Sequence, residues 1–183
     1  MRMILAAVVG ALIGAGVVEY RYRAAAAAPA AAADRSGATS DLETLRADVA
    51  RLKANAPSQS HTMSDVAYHW TNLWFAGEKK NWPLAQFYFD ETRQHILWTI
   101  RLRPVRKGPD GNDVNLVPIF EGIDTSAFKS IAEAIAQKDP KTFEAAYHTS
   151  LEACYGCHKA AGKPYLRPEI PKAPAQTIVS FDP

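Results

Sequence analysis

The sequence predicts an all-α fold: an antiparallel four-helix bundle with a cofactor motif near its C-terminus, preceded by an N-terminal membrane anchor and a short helical stalk. Three observations carry this expectation. From about residue 58 to 160, apolar residues recur at spacings of three and four, with little of the alternation that marks strands. Asn81-Trp82-Pro83 and Asp139-Pro140 each join a capping side chain to a proline suited to a first helical turn. Beyond Gly162, the residues Pro164, Pro168, Pro171, Pro174 and Pro183 forbid a further long helix.

Three segments follow from composition. Residues 1–23 read as a signal anchor or signal peptide: Arg2 precedes an uncharged run from Met3 to Val18, about 24 Å long as a helix. That is short of the roughly 30 Å hydrocarbon core, but the flanking Glu19-Tyr20-Arg21-Tyr22-Arg23 can sit at an interface. The same charged stretch separates the apolar run from the small residues a cleavage site needs, which favours an uncleaved anchor. Residues 24–57 form an Ala-rich linker and a short amphipathic helix, with helix-start chemistry at Ser40-Asp41-Leu42-Glu43. There Leu42, Leu45, Val49 and Leu52 make an a/d seam too short for an independent coiled coil, so it serves as a solvated spacer or as the stalk of a possible homodimer. Residues 58–183 are the bundle and its Pro-rich tail.

Within that last segment, Ser60 is a capping candidate for the first helix, whose face holds Met63, Val66, Ala67, Trp70, Leu73, Trp74 and Gly77. The second helix starts at Asn81 and runs to about Arg101. Arg103 to Asn115 is a polar loop around Gly108-Pro109-Asp110-Gly111-Asn112. A third helical region carries Phe120, Ile123, Phe128, Ile131 and Ile135 and breaks near Asp124. The fourth opens at Asp139-Pro140. Four helices with short links imply the antiparallel bundle.

The fourth helix ends in the most informative motif of the chain, Cys154-Tyr155-Gly156-Cys157-His158, which uses both cysteines of the sequence. C-x-x-C-H is the spacing of covalent haem attachment: two thiols for the two vinyl groups, and the next imidazole for the iron. Phe143, Tyr147, Leu151, Cys154 and His158 fall at steps of four, four, three and four, one helical stripe. Three other readings compete. A zinc site lacks a second cysteine pair. A thioredoxin-like pair belongs at the start of a helix in a βαβ unit. A structural disulfide in an exported protein is possible but leaves His158 without a role. The expected cofactor is therefore one covalent haem c, held by Cys154 and Cys157 with His158 on the metal. Because haem attachment occurs outside the bacterial cytoplasm, the expected location is periplasmic, tethered to the cytoplasmic membrane.

Net charge is only +2 and no Gly-rich phosphate loop is present, which argues against nucleic acid as a partner. The aromatic residues Trp70, Trp74, Phe75, Trp82, Phe87, Tyr88, Phe89 and Trp98 crowd the middle of the chain as core or as a haem pocket. Glu91 and His95, four apart on the second helix, form either a surface pair or a pair at the haem edge. His148 and His61 lie off the apolar stripes. Two groups of cations, Arg101, Arg103, Arg106 and Lys107, then Lys159, Lys163, Arg167 and Lys172, are solvated or dock an acidic redox partner.

A four-helix chain with a late C-x-x-C-H resembles the class II c-type cytochromes, the cytochrome c prime group. The stretch HWTNLWFAG from His69 to Gly77, followed by Asn81-Trp82-Pro83-Leu84-Ala85, is more closely similar to small bacterial haem proteins of largely unassigned role. The resemblance spans roughly residues 58–170 and implies the fold, the haem and the periplasmic location, without naming a reaction or partner. It also bears on the iron's sixth ligand. Helices one and four run oppositely in such a bundle, so His158 faces the first turns after Ser60, which offer His61, Met63 and His69. His61 is on the polar side and Met63 is in the opening turn, whereas His69 has the depth at which class II cytochromes carry their distal residue, so His69 is the expected sixth ligand. Such a chain is expected to be a monohaem electron carrier rather than an enzyme, since no acid/base constellation is evident. The alternative is a haem protein that binds nitric oxide or another diatomic gas.

Overall fold

A computed structural model describes residues 37–175 and 179–183. The chain divides into two units, Met1–Ala56 and Pro57–Pro183. The expected anchor at residues 3–18 and most of the linker lie outside the described residues. Among the described residues, no helix is long and apolar enough to cross a membrane.

In the first unit, residues 37–55 form a helix, α1. Its Leu42, Leu45, Val49 and Leu52 are all exposed. The heptad seam is thus present as a bare apolar stripe.

The second unit is predominantly helical. Helix α2 spans Gln59–Glu78 and is capped by Ser58, whose side chain accepts the His61 N–H. The cap falls two residues before the expected Ser60, because Ser58 has the extended backbone that a cap requires. Ser60 lies inside the helix, where its carbonyl accepts the Ser64 hydroxyl. A tight turn with Lys80 in the left-handed region leads to α3, Trp82–Leu102, capped by Asn81 as expected. Residues 116–137 are one helical run in three pieces: α4 (Leu116–Ile123), a π-helical turn (Asp124–Phe128) and α5 (Lys129–Gln137). The break expected near Asp124 is therefore a single wide turn, and the chain does not change course into a loop. Lys138, also left-handed, ends α5, and Asp139 caps α6, Pro140–Ala160.

The expected polar loop at Arg103–Asn115 contains a small hairpin instead. Strands β1 (Val105–Lys107) and β2 (Asp113–Asn115) pair antiparallel, with Arg106 opposite Val114. Gly111, at a φ of 80°, makes the turn, and the Asp110 side chain accepts the Asn112 N–H. Three-residue strands are too short to leave an alternation signal.

The core is built on α2 and α6. Trp70 stacks between Phe128, at 5.3 Å, and Tyr147, at 4.7 Å. The Tyr147 hydroxyl donates to the Trp70 carbonyl at 2.9 Å. One turn on, Trp74 meets Tyr147 and Phe143, and Gly77 lies against the Phe143 ring so closely that a Cβ would come within 2.1 Å of it. Contacts that ascend α2 descend α6, so these two helices are antiparallel. Arg93 of α3 grips Asp124 through two hydrogen bonds of 2.6 Å, tying α3 to the π turn. Ser150 of α6 donates to the Ala127 carbonyl inside that turn. The tail crosses α2 and α3. The Ala175 N–H donates to the buried Asn72, and Phe181 packs on Phe75 and Tyr88.

Candidate functional site

The buried stripe of α6, comprising Phe143, Ala146, Tyr147, Ser150 and Leu151, runs directly into the motif. Cys154 and Cys157 continue it at the edge of the core, half-buried and packed against apolar neighbours. They are two free thiols. Burial pushes the Cys154 thiol up to about 12, with Cys157 adding to the shift, and burial also raises Cys157. Redox C-x-x-C pairs and thiolate metal sites need the opposite, a lowered pKa. These surroundings favour the uncharged thiol.

His158 is oriented by the chain that follows it. The helix ends at Ala160, and Gly162 just beyond it is left-handed at a φ of 71° and pressed on the backbone of Lys107 and Gly108. The Lys163 N–H returns to the His158 carbonyl at 2.8 Å, and the Leu166 N–H to the Lys163 carbonyl at 3.0 Å. This fold-back brings the Leu166 carbonyl to Nδ1 of His158, at 2.5 Å. A carbonyl only accepts, so Nδ1 carries the proton and Nε2 keeps its lone pair. That is the tautomer and the supporting hydrogen bond of a metal-ligating histidine. The donor set of two apolar-packed sulfurs and one oriented imidazole fits a covalently attached haem.

Tyr155, between the cysteines, donates to the Pro164 carbonyl and has the cations of Lys159 and Arg167 over its ring. Of the second cation group expected from the sequence, Lys159 and Arg167 are thus at the motif, while Lys163 lies over the Tyr165 ring. Arg167 also reaches Glu152, across the mouth of a cavity of about 470 Å³ between α6 and the tail. In the first cation group, Arg101 lies in the last turn of α3, and Lys107 pairs with Asp113 across the hairpin. His61 and His148 are exposed, as their phase implied.

His69 is brought to α3. Its ring lies 4.8 Å from that of His95 and 6.1 Å from that of Tyr88, while Trp70 and Trp74 occupy the side of α2 that meets α6. Glu91 completes a group in which one ligand atom each of His69, Glu91 and His95 lie within 4.8 Å of one another. Burial, reinforced by the neighbouring His95, lowers the His69 pKa against the opposing pull of Glu91 and Asp65, which favours the neutral ring. Sequence reasoning paired Glu91 with His95 and missed the third member. A signal existed: His69 lies 12 residues before Asn81, and Glu91 and His95 lie 10 and 14 after it, so a tight antiparallel turn levels them.

Met63 sits two turns before Trp70 on the same side of α2, and Cys154 two turns after Tyr147 on α6. Since Trp70 stacks on Tyr147 and the helices are antiparallel, helical spacing carries Met63 and Cys154 two turns from that stack in the same direction. Compared with family models, curated proteins and solved structures, the chain matches none.

Proposed function

We propose that the chain is a monohaem c-type cytochrome of the class II kind, an antiparallel four-helix bundle that carries single electrons between redox partner proteins in the periplasm. The α4–α5 run counts as its third helix. The observation that carries this reading is the pairing of an intact C-x-x-C-H at the edge of the core with a His158 whose Nδ1–H is already committed to Leu166, leaving Nε2 for iron.

Cys154 and Cys157 would hold the haem through thioethers, and His158 would ligate it. The bound group supplies reversible one-electron iron chemistry. The chain supplies the rest. The stacked core of Trp70, Phe128 and Tyr147 gives a rigid apolar wall, which keeps reorganisation small. The Leu166 carbonyl holds the imidazole in one orientation and raises its basicity, which favours the ferric state. Lys159 and Arg167 lie at the motif and, with Lys163, would steer an acidic partner to it, a contribution mainly to encounter rate. The N-terminal segment would keep the protein on the outer face of the cytoplasmic membrane, and the bare seam of α1 is where a second copy would associate.

Two side chains of α2 compete for the second axial position. His69 has the depth expected from the family resemblance. Met63 lies in the same direction from the Trp70–Tyr147 stack as Cys154, which supports methionine, since the neighbours of His69 are on α3. Optical spectra of the haem-loaded protein test both the function and the ligand. An electron carrier gives a low-spin ferrous form with sharp α and β bands, and Met63→Ala alone turns it high-spin. A wild-type protein already high-spin and responsive to carbon monoxide would instead be a gas-binding protein.

A further inference from the structure

We propose that His69, Glu91 and His95 form a second metal site, separate from the haem motif, that takes one divalent transition cation of the Zn²⁺ class. One ring nitrogen from each histidine and one carboxylate oxygen lie within 4.8 Å of one another. Tetrahedral ligands at zinc bond lengths sit about 3.3 Å apart. Closing that gap would take movement of the side chains, and His95 and Glu91 are both partly exposed, with solvent on one side to move into.

Two further observations point to a cation. The Nδ1 of His69 is buried and has no hydrogen-bond partner, which is a costly state for a ring nitrogen. Coordination through that atom would satisfy it. Nδ1 of His95 lies 2.8 Å from the Glu91 carbonyl, so it donates there and leaves Nε2 as a free lone pair. This is the same arrangement that orients His158, a backbone carbonyl fixing the tautomer of a ligating imidazole. The Thr99 hydroxyl donates to the His95 carbonyl at 2.7 Å, steadying the same turn of α3.

The donor set selects the metal. Two neutral imidazoles and one carboxylate suit Zn²⁺, with Cu²⁺ binding more tightly still, and leave a position open for water. Ca²⁺ and Mg²⁺ ask for six or more oxygens, which this site lacks. Tyr68 and Tyr88 pack against the His69 ring on the protein side, while Trp98, edge-on to His95 and itself exposed, and the partly exposed His95 and Glu91 leave the site open to solvent.

The site rests on the haem reading in one respect only, that His69 does not ligate the iron. Calorimetric titration of Zn²⁺ into the haem-loaded full-length protein tests it, with haem content and visible spectrum recorded on the same samples. The expected result is one Zn²⁺ per chain, weakened roughly tenfold or more by His95→Ala and by Glu91→Gln. In both variants the haem spectrum and helical content stay as in the wild type, and His148→Ala binds normally. No Zn²⁺ binding by the wild type, or equal binding by all three variants, would overturn the site. So would a haem spectrum that turns high-spin in His69→Ala, which assigns His69 to the iron and leaves haem attachment standing. A chain that carries no haem yet binds Zn²⁺ through these residues would support the site while refuting the cytochrome.

Discussion

Tyr147 of α6 donates its hydroxyl to the backbone carbonyl of Trp70 in α2 at 2.9 Å, and the two rings stack 4.7 Å apart. This contact sets the register of α6, the helix that bears the C-x-x-C-H, against α2. Burial raises the Tyr147 phenol far above its ordinary value, so the hydroxyl remains a donor throughout the accessible pH range.

Tyr147→Phe keeps the stack and deletes the hydrogen bond, leaving a buried carbonyl with one fewer partner. A loss of about 1–2 kcal/mol in unfolding free energy is expected by chemical denaturation. Tyr147→Ala also opens a cavity between Trp70 and Phe143, and should cost about 3–5 kcal/mol.

Gly77→Ala puts a methyl group where the Phe143 ring already stands, with Cβ at 2.1 Å from a ring carbon. The ring and α6 must both shift, so a loss of about 1–3 kcal/mol is expected from thermal or chemical melts. Gly122→Ala, which meets nothing within 4 Å, is the matched control and should be neutral or slightly stabilising.

Asp124→Asn removes the charge from the paired hydrogen bonds of Arg93, both partners being partly buried. The loss should be about 1–2 kcal/mol. Hydrogen exchange should rise first in the π turn and in the adjoining ends of α4 and α5, where Arg93 is the clamp.

In chain made without haem attachment, both thiols are expected to alkylate slowly. The folded-state pKa of Cys154 is raised to about 12, so its thiolate fraction at pH 8 is far below that of an ordinary cysteine. Cys157, also raised, should still react faster, because its shift is the smaller. Rates rise with pH, and 6 M guanidinium should abolish the difference. A Cys154 that reacts as fast as free cysteine in the folded chain would remove the argument that its setting favours the uncharged thiol.

The helices were legible because their signals are local. Asn81 and Asp139 announce themselves as caps by their position before proline, and the α6 stripe is periodic on its own. The motif was legible for the same reason. The three-residue strands beside Gly108 to Asn112 were not, since one or two side chains per face carry no periodicity. The trio of His69, Glu91 and His95 depends on the register of α2 against α3, and the tautomer of His158 depends on a proline-rich segment doubling back to Leu166. Both are long-range facts, made by packing and by the chain's path after Gly162. Seen alone, His69 reads as one histidine beside an apolar stripe, and the same residue is compatible with an iron ligand, a core side chain or a metal site until its neighbours are known.

Intact-mass spectrometry of protein produced with a haem-attachment system measures directly whether the chain carries the proposed covalent haem c. The expected result is one added haem, about 616 Da per chain, that survives denaturation and is lost in a Cys154→Ala, Cys157→Ala double variant. A mass equal to the bare polypeptide, with both thiols free to alkylate after unfolding, would contradict it.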